Sequence, residues 1–191
     1  MENVSYMAVL VLGIATYASA VIQMLIGQYS PSFFSRGVWF LLGINSFAGV
    51  LLGGGSHSAK ILAGTLFAGN AAVFLVSYKK GSRDFHDAEK ISLVLLVISS
   101  GIWIFLKAPF INLIISLIAH FIGGIPTIWR VFRRPHSEQA LHWYFFCTAS
   151  IISVLSTNQK TVRAILFPVY FACFDGLIIL LVNRRRLRKL L

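Results

Sequence analysis

Apolar residues along this chain gather into seven long runs separated by short polar breaks, and the breaks hold nearly all of the charge. The runs cover about 5–27, 37–54, 60–78, 91–107, 109–131, 139–157 and 163–183. Each is near the roughly 17–25 residues that a helix needs to cross a bilayer. The pattern predicts seven transmembrane helices, the fourth the shortest, between Lys90 and Lys107.

The pattern also repeats. Val21–Trp39 aligns with Ile125–Trp143 at an offset of 104 without a gap, setting Gln23 on Thr127, Pro31 on Pro135 and Trp39 on Trp143. In both copies an apolar run ends, a short turn carries one proline, and the next run begins just before a tryptophan. The first three runs match the last three; the fourth has no counterpart. The expected fold is an all-α membrane protein with seven transmembrane helices as two parallel triple-helix bundles joined by a linker helix, a 3+1+3 plan. Its parts are a first bundle (1–80), a cytoplasmic loop and linker helix (81–108), a second bundle (109–184) and a basic cytoplasmic tail (185–191). An odd linker returns the chain to its starting side, so the two bundles share one orientation.

Composition agrees with the bilayer as solvent: 57% of the 191 residues are hydrophobic and 12% charged, with mean hydropathy +0.79. A soluble domain of this size could not hide so much apolar surface. The net charge of +11 does not call for nucleic acid, because the basic residues sit in loops where membrane topology places them. With the N-terminus outside, thirteen of the seventeen Lys and Arg fall on the inner side, and Lys60, Lys107, Lys160 and Arg163 remain outside. The positive-inside rule then sets the N-terminus outside and the C-terminus in the cytoplasm. The basic tail Arg184–Lys189 suits anionic lipid headgroups, and the polar loop 79–90 reads as a solvated tether. Glu2, and the absence of positive charge before the first run, argue for a retained helix rather than a cleaved leader. Cys147 and Cys173 lie within apolar runs and imply neither a disulfide framework nor a metal motif.

Polar residues at membrane depth are the candidate chemistry, because each costs free energy unless it is paired or faces a cavity. Asp175 is the one acid in the middle of a span, and His120 is a mid-span histidine. The offset of 104 pairs His120 with Thr16, and an offset of 105 pairs Asp175 with Asn70 and Arg184 with Lys79. Asn45 and Ser150 form a looser pair in the second helix of each half. These six are the expected substrate-binding residues, each also open to a packing role. Pro126, with Gly123 and Gly124 before it, removes a backbone donor and is expected to kink the fifth helix; Pro168 stands likewise in the seventh. Trp39, Trp129 and Trp143 are expected at the membrane interface as an aromatic belt.

The architecture resembles the SWEET and PQ-loop transporters, which repeat a triple-helix bundle as 3+1+3 with the N-terminus outside. Their Pro-Gln signature is split here: Ile22-Gln23 keeps the glutamine and Pro126-Thr127 the proline. The resemblance implies that Asn70 and Asp175 contact substrate from the third and seventh helices and that an aspartate there couples to protons; Gln23, Pro126, Thr127 and Pro168 are the expected gating and hinge positions.

The expected function is a transporter moving a small polar solute by alternating access through a midplane site, with an optional coupled proton. The alternative is a non-transporting receptor or scaffold of the same architecture. An enzyme is not expected, since His136, Glu138 and His142 match no metal spacing. No cofactor is implied, and helix seven has no lysine for a retinal Schiff base. Sugar, vitamin and amino acid remain open as solutes, and both monomer and homo-oligomer fit a chain that holds two units.

Overall fold

The computed structural model describes residues 2–84, 87–135 and 140–187. They form seven helices and, among the described residues, no strand: α1 (Glu2–Leu25), α2 (Phe33–Leu52), α3 (His57–Lys80), α4 (Asp87–Leu106), α5 (Pro109–Arg133), α6 (Ala140–Leu155) and α7 (Val162–Leu187). Every expected run is a helix, with ends displaced by a few residues. Five helices are long and apolar enough to cross a membrane: α1, α2, α3, α5 and α7. The apolar parts of α4 (Lys90–Leu106) and α6 (Ala140–Leu155) are shorter. The chain is an all-α membrane protein. Its outward faces carry apolar side chains, Val4, Leu75, Val97 and Phe105 among them, as a surface solvated by lipid requires.

Local chemistry accounts for the breaks. Gly27, at φ 77°, ends α1 in a Schellman turn, with Gly27 N–H bonded to the Met24 carbonyl and Gln28 N–H to the Gln23 carbonyl. Ser32 and Ser56 cap α2 and α3 by accepting from the amides of Ser35 and Ala59. Pro109 starts α5 at the position where its missing N–H costs nothing. Pro126 and Pro168 lie inside α5 and α7, and both helices run on through them.

The helices pack as a ring. α1 lies against α3 and α6, α2 against α3 and α5, and α7 against α5 and α6, while α4 sits outside against α5 and α2. The closest approaches use glycine: a Cβ at Gly49 would reach 2.9 Å from the Leu113 side chain, and one at Gly43 would meet Leu66. The largest core cluster joins six helices through Val9, Val50, Leu62, Leu117, Ala149 and Phe167 with their neighbours.

One expectation about the connections needs correcting. α3 extends to Lys80 and α4 begins at Asp87, so half of the 79–90 segment is helical. Its first residues are docked rather than free. Ser82 exchanges backbone hydrogen bonds with the α1–α2 turn, donating to Pro31 at 3.1 Å and accepting from Phe33 at 2.8 Å. Ser32 bonds the Asp84 carbonyl, and Arg83 stacks on Phe33. Of the basic tail, α7 takes in 185–187, and 188–191 lie outside the described residues.

Candidate functional site

Two polar side chains lead into the middle of the ring. Asn70 on α3 and Asp175 on α7 are 2% and 1% exposed, and both face one internal cavity of about 50 Å³. Each helix of the ring adds to its wall. Thr16 and Tyr17 come from α1, Arg36 and Trp39 from α2, His120 from α5, and His142 and Trp143 from α6. Leu66, Phe146 and Phe171, three members of the main core cluster, form its apolar side.

Hydrogen-bond accounting sets this cavity apart. Seven buried side-chain polar atoms have no partner among the described residues, and five belong to its lining: Trp39 Nε1, Asn70 Oδ1, His142 Nδ1, Trp143 Nε1 and Asp175 Oδ2. A buried polar atom left unsatisfied costs about 1–3 kcal/mol, against about 5–15 kcal/mol for the net stability of a domain. The cavity has room for a few water-sized groups.

Access is from one end. A second cavity of about 260 Å³ adjoins the first and shares Tyr29, Arg36, Trp39 and Trp143 with it. It is a polar vestibule, lined also by Ser30, Ser35, Asp84, Thr127 and Arg130, at the end where α1 turns into α2. Arg36 stands in the throat between the two. Its guanidinium donates to the Tyr29 hydroxyl and lies over the rings of Tyr29 and Trp39, at 5.5 and 5.0 Å from their centroids. At the opposite end the core cluster closes the ring. Beyond it Ser58 donates to the Ser153 carbonyl at 3.0 Å and contacts Thr157 Oγ1 at 3.1 Å, tying α3 to α6. Outside that tie lies a third cavity of about 240 Å³, lined by Tyr6, His57, Thr157 and Asn158.

The sequence-derived candidates divide on this geometry. Thr16, Asn70, His120 and Asp175 meet at the inner cavity. Thr16 donates to the Leu12 carbonyl at 2.9 Å, which leaves its oxygen free to accept. His120 Nδ1 is 2.8 Å from the Tyr170 hydroxyl, and the ring packs on Trp39 and Phe171. Asn45 and Ser150 are not part of this wall. Asn45 donates to Ser99 and Ser116 at 2.6 and 3.0 Å, joining α2 to α4 and α5. Ser150 donates to the Phe146 carbonyl of its own helix at 2.8 Å.

Of the gating candidates, Gln23 is buried and its carbonyl also receives the amide of Tyr29, so it fixes the turn that carries Tyr29 to the throat. Pro126 and Thr127 line the vestibule. Pro168 is buried in α7.

The belt expectation fails for two of three tryptophans. Trp129 is 54% exposed and fits a belt, but Trp143 is 8% exposed, and both it and Trp39 line the cavity. His142 is also in the wall, its ring tilted against those of Trp143 and Tyr29, while His136 and Glu138 lie outside the described residues. Arg36 and Tyr29 went unread as site residues. The available signal was an arginine only three residues before the repeated tryptophan. No protein-family description, curated protein or solved structure matches this chain.

Proposed function

We propose that this protein is a membrane carrier that moves a small polar solute by alternating access, with the inner cavity as its binding site. The observation that carries this reading is one internal cavity walled by all six ring helices, with the buried polar residues Asn70 and Asp175 in its lining, next to a polar vestibule. The ring order supports two rocking units. The third helix of each proposed bundle lies between the other two, as α1–α3–α2 and α5–α7–α6, and the site falls where the units meet. The 3+1+3 plan of the SWEET and PQ-loop transporters, which the chain resembles in its sequence repeat, would give such an order. The excess of basic residues at the vestibule end supports a cytoplasmic vestibule, an N-terminus outside and a C-terminus inside.

In this scheme Asn70, Asp175 and Thr16 contact the solute, while His120, paired with Tyr170, holds the wall. Asn45 and Ser150 serve packing. The glycine and proline positions of α5 border the vestibule and let that end bend.

Uptake into proteoliposomes tests the reading. A panel of small polar solutes should include one that enters saturably, and Asn70→Ala should reduce its entry by about tenfold or more, the loss of one buried hydrogen bond. Asp175→Asn tests the coupled proton: full uptake at every pH removes that role. Saturable binding without flux of any solute in either direction would instead favour a receptor.

A further inference from the structure

The fifth helix keeps one face that the ring leaves uncovered. Ile111, Ile114, Ile118, Phe121 and Ile125 are all exposed, and their spacing of three and four residues sets them along one side of α5. The same row continues to Trp129 and Phe132, 54% and 51% exposed, near the end of the helix. In a chain solvated by lipid, such a row is a track for an acyl chain along nearly the whole of α5.

The end of the track is not apolar. Trp129 and Phe132 stack on each other, with centroids 6.0 Å apart and planes 18° from parallel, and a guanidinium lies over each. Arg133, in the last turn of α5, is 4.6 Å from the Trp129 centroid. Arg184, on α7, is 4.8 Å from that of Phe132. Two cations and two rings from adjoining helices thus form one cluster. Stacking on a ring fixes where a guanidinium sits without using its N–H donors. Among the described residues neither guanidinium has a hydrogen bond or an ion pair, so the donors of both, five on each, remain for a ligand.

Topology accounts for arginines at this end of the chain. It does not account for two of them held on stacked rings at the head of an apolar track. At that depth the bilayer supplies one abundant acceptor, the phosphate of a phospholipid, which a guanidinium meets in a planar fork. We propose that this cluster binds one anionic phospholipid, its headgroup phosphate on Arg133 and Arg184 and an acyl chain along the α5 track. Two guanidiniums are matched by a headgroup of net negative charge. A choline headgroup would bring a third cation to rings that the arginines already hold. The site stands apart from the carrier reading and from the tail beyond Leu187. Pro126 and Thr127 line the vestibule within one turn of Trp129, so a bound lipid steadies the end of α5 that borders it.

The test uses purified full-length protein in dodecylmaltoside micelles, with Tm followed as lipid is added, since a ligand of the native fold raises it saturably. The probes are dioleoylphosphatidylglycerol and dioleoylphosphatidylcholine, which share their acyl chains, and inorganic phosphate, which has none. Phosphatidylglycerol should act at a concentration at least about tenfold below phosphatidylcholine, and inorganic phosphate should not raise Tm. Arg133→Gln with Arg184→Gln should weaken the phosphatidylglycerol response by at least about tenfold, as expected for lost charge-assisted bonds. Arg188→Gln with Lys189→Gln removes the same charge from the tail and should leave the response unchanged. Arg133→Lys with Arg184→Lys, which keeps the charge, should retain part of it, so that a folding defect is told apart from a lost contact.

The inference is overturned if phosphatidylcholine stabilises as well as phosphatidylglycerol, or if inorganic phosphate matches the lipid. It is also overturned if the two glutamine pairs weaken the response equally, which would mean diffuse attraction to a basic surface, or if the pair at 133 and 184 leaves it undiminished.

Discussion

Gly69 shows how closely the site is built against its neighbours. A Cβ at this position would overlap the ring of Tyr17, a residue of the cavity wall. Gly69→Ala should therefore push Tyr17 into the cavity, lowering stability by about 1–3 kcal/mol as overpacking does and weakening solute binding. A methyl added at Gly101 would have nothing within 4 Å, so Gly101→Ala should leave Tm and binding unchanged. Thermal unfolding of both variants, with and without solute, separates the two; equal effects would mean that Tyr17 gives way. At this scale the depth of a polar residue was readable. Asn70 and Asp175 stand out because polar groups within a span are expensive. Arg36, Trp39, Trp143 and His142 did not, because arginine and tryptophan near a helix end already have an ordinary explanation in topology and interface anchoring. Only the folded chain shows that the side chains turn inward.

Between elements, Asn45 illustrates a polar group that holds helices together rather than a ligand. Its amide reaches Ser99 of α4 and Ser116 of α5, and its carbonyl accepts from Asn112 at 3.3 Å. Both serines also donate to their own helices, so their hydroxyls keep a partner when the amide is removed. Asn45→Leu should thus cost only about 0.6–2 kcal/mol, the range for interhelical hydrogen bonds in membranes, loosening α4 without changing solute affinity. A collapse of affinity at unchanged Tm would place Asn45 at the site in another conformation. The helices themselves were legible within a few residues, since apolar length and glycine or proline breaks set them directly. Which helix packs on which was less so. In lipid no apolar stripe distinguishes the inner face of a helix from the outer, and the order is fixed by small residues such as Gly49 against Leu113. The docking of 81–84 was hidden for a related reason. A polar segment reads as solvated until its backbone groups are seen to bond the α1–α2 turn.

For the molecule as a whole, the cavities lie in series: a vestibule, the inner site, an apolar layer, a polar tie and an outer cavity. Alternating access requires the closed end to part, and the tie between α3 and α6 is where parting would be seen. Ser58 Oγ and Thr157 Oγ1 are 3.1 Å apart, near enough for two sulfurs at those positions to bond after a small shift. The Ser58→Cys/Thr157→Cys variant, with Cys147 and Cys173 replaced by alanine, should carry solute while reduced. Oxidation should bring flux to background, and dithiothreitol should restore it. Binding from the vestibule should survive oxidation, because the throat at Tyr29, Arg36, Trp39 and Trp143 lies at the other end. Loss of flux with binding retained requires movement between α3 and α6 in each cycle. Flux that persists undiminished in the cross-linked protein would mean that this end never opens, and the two triplets would then not rock against each other at all.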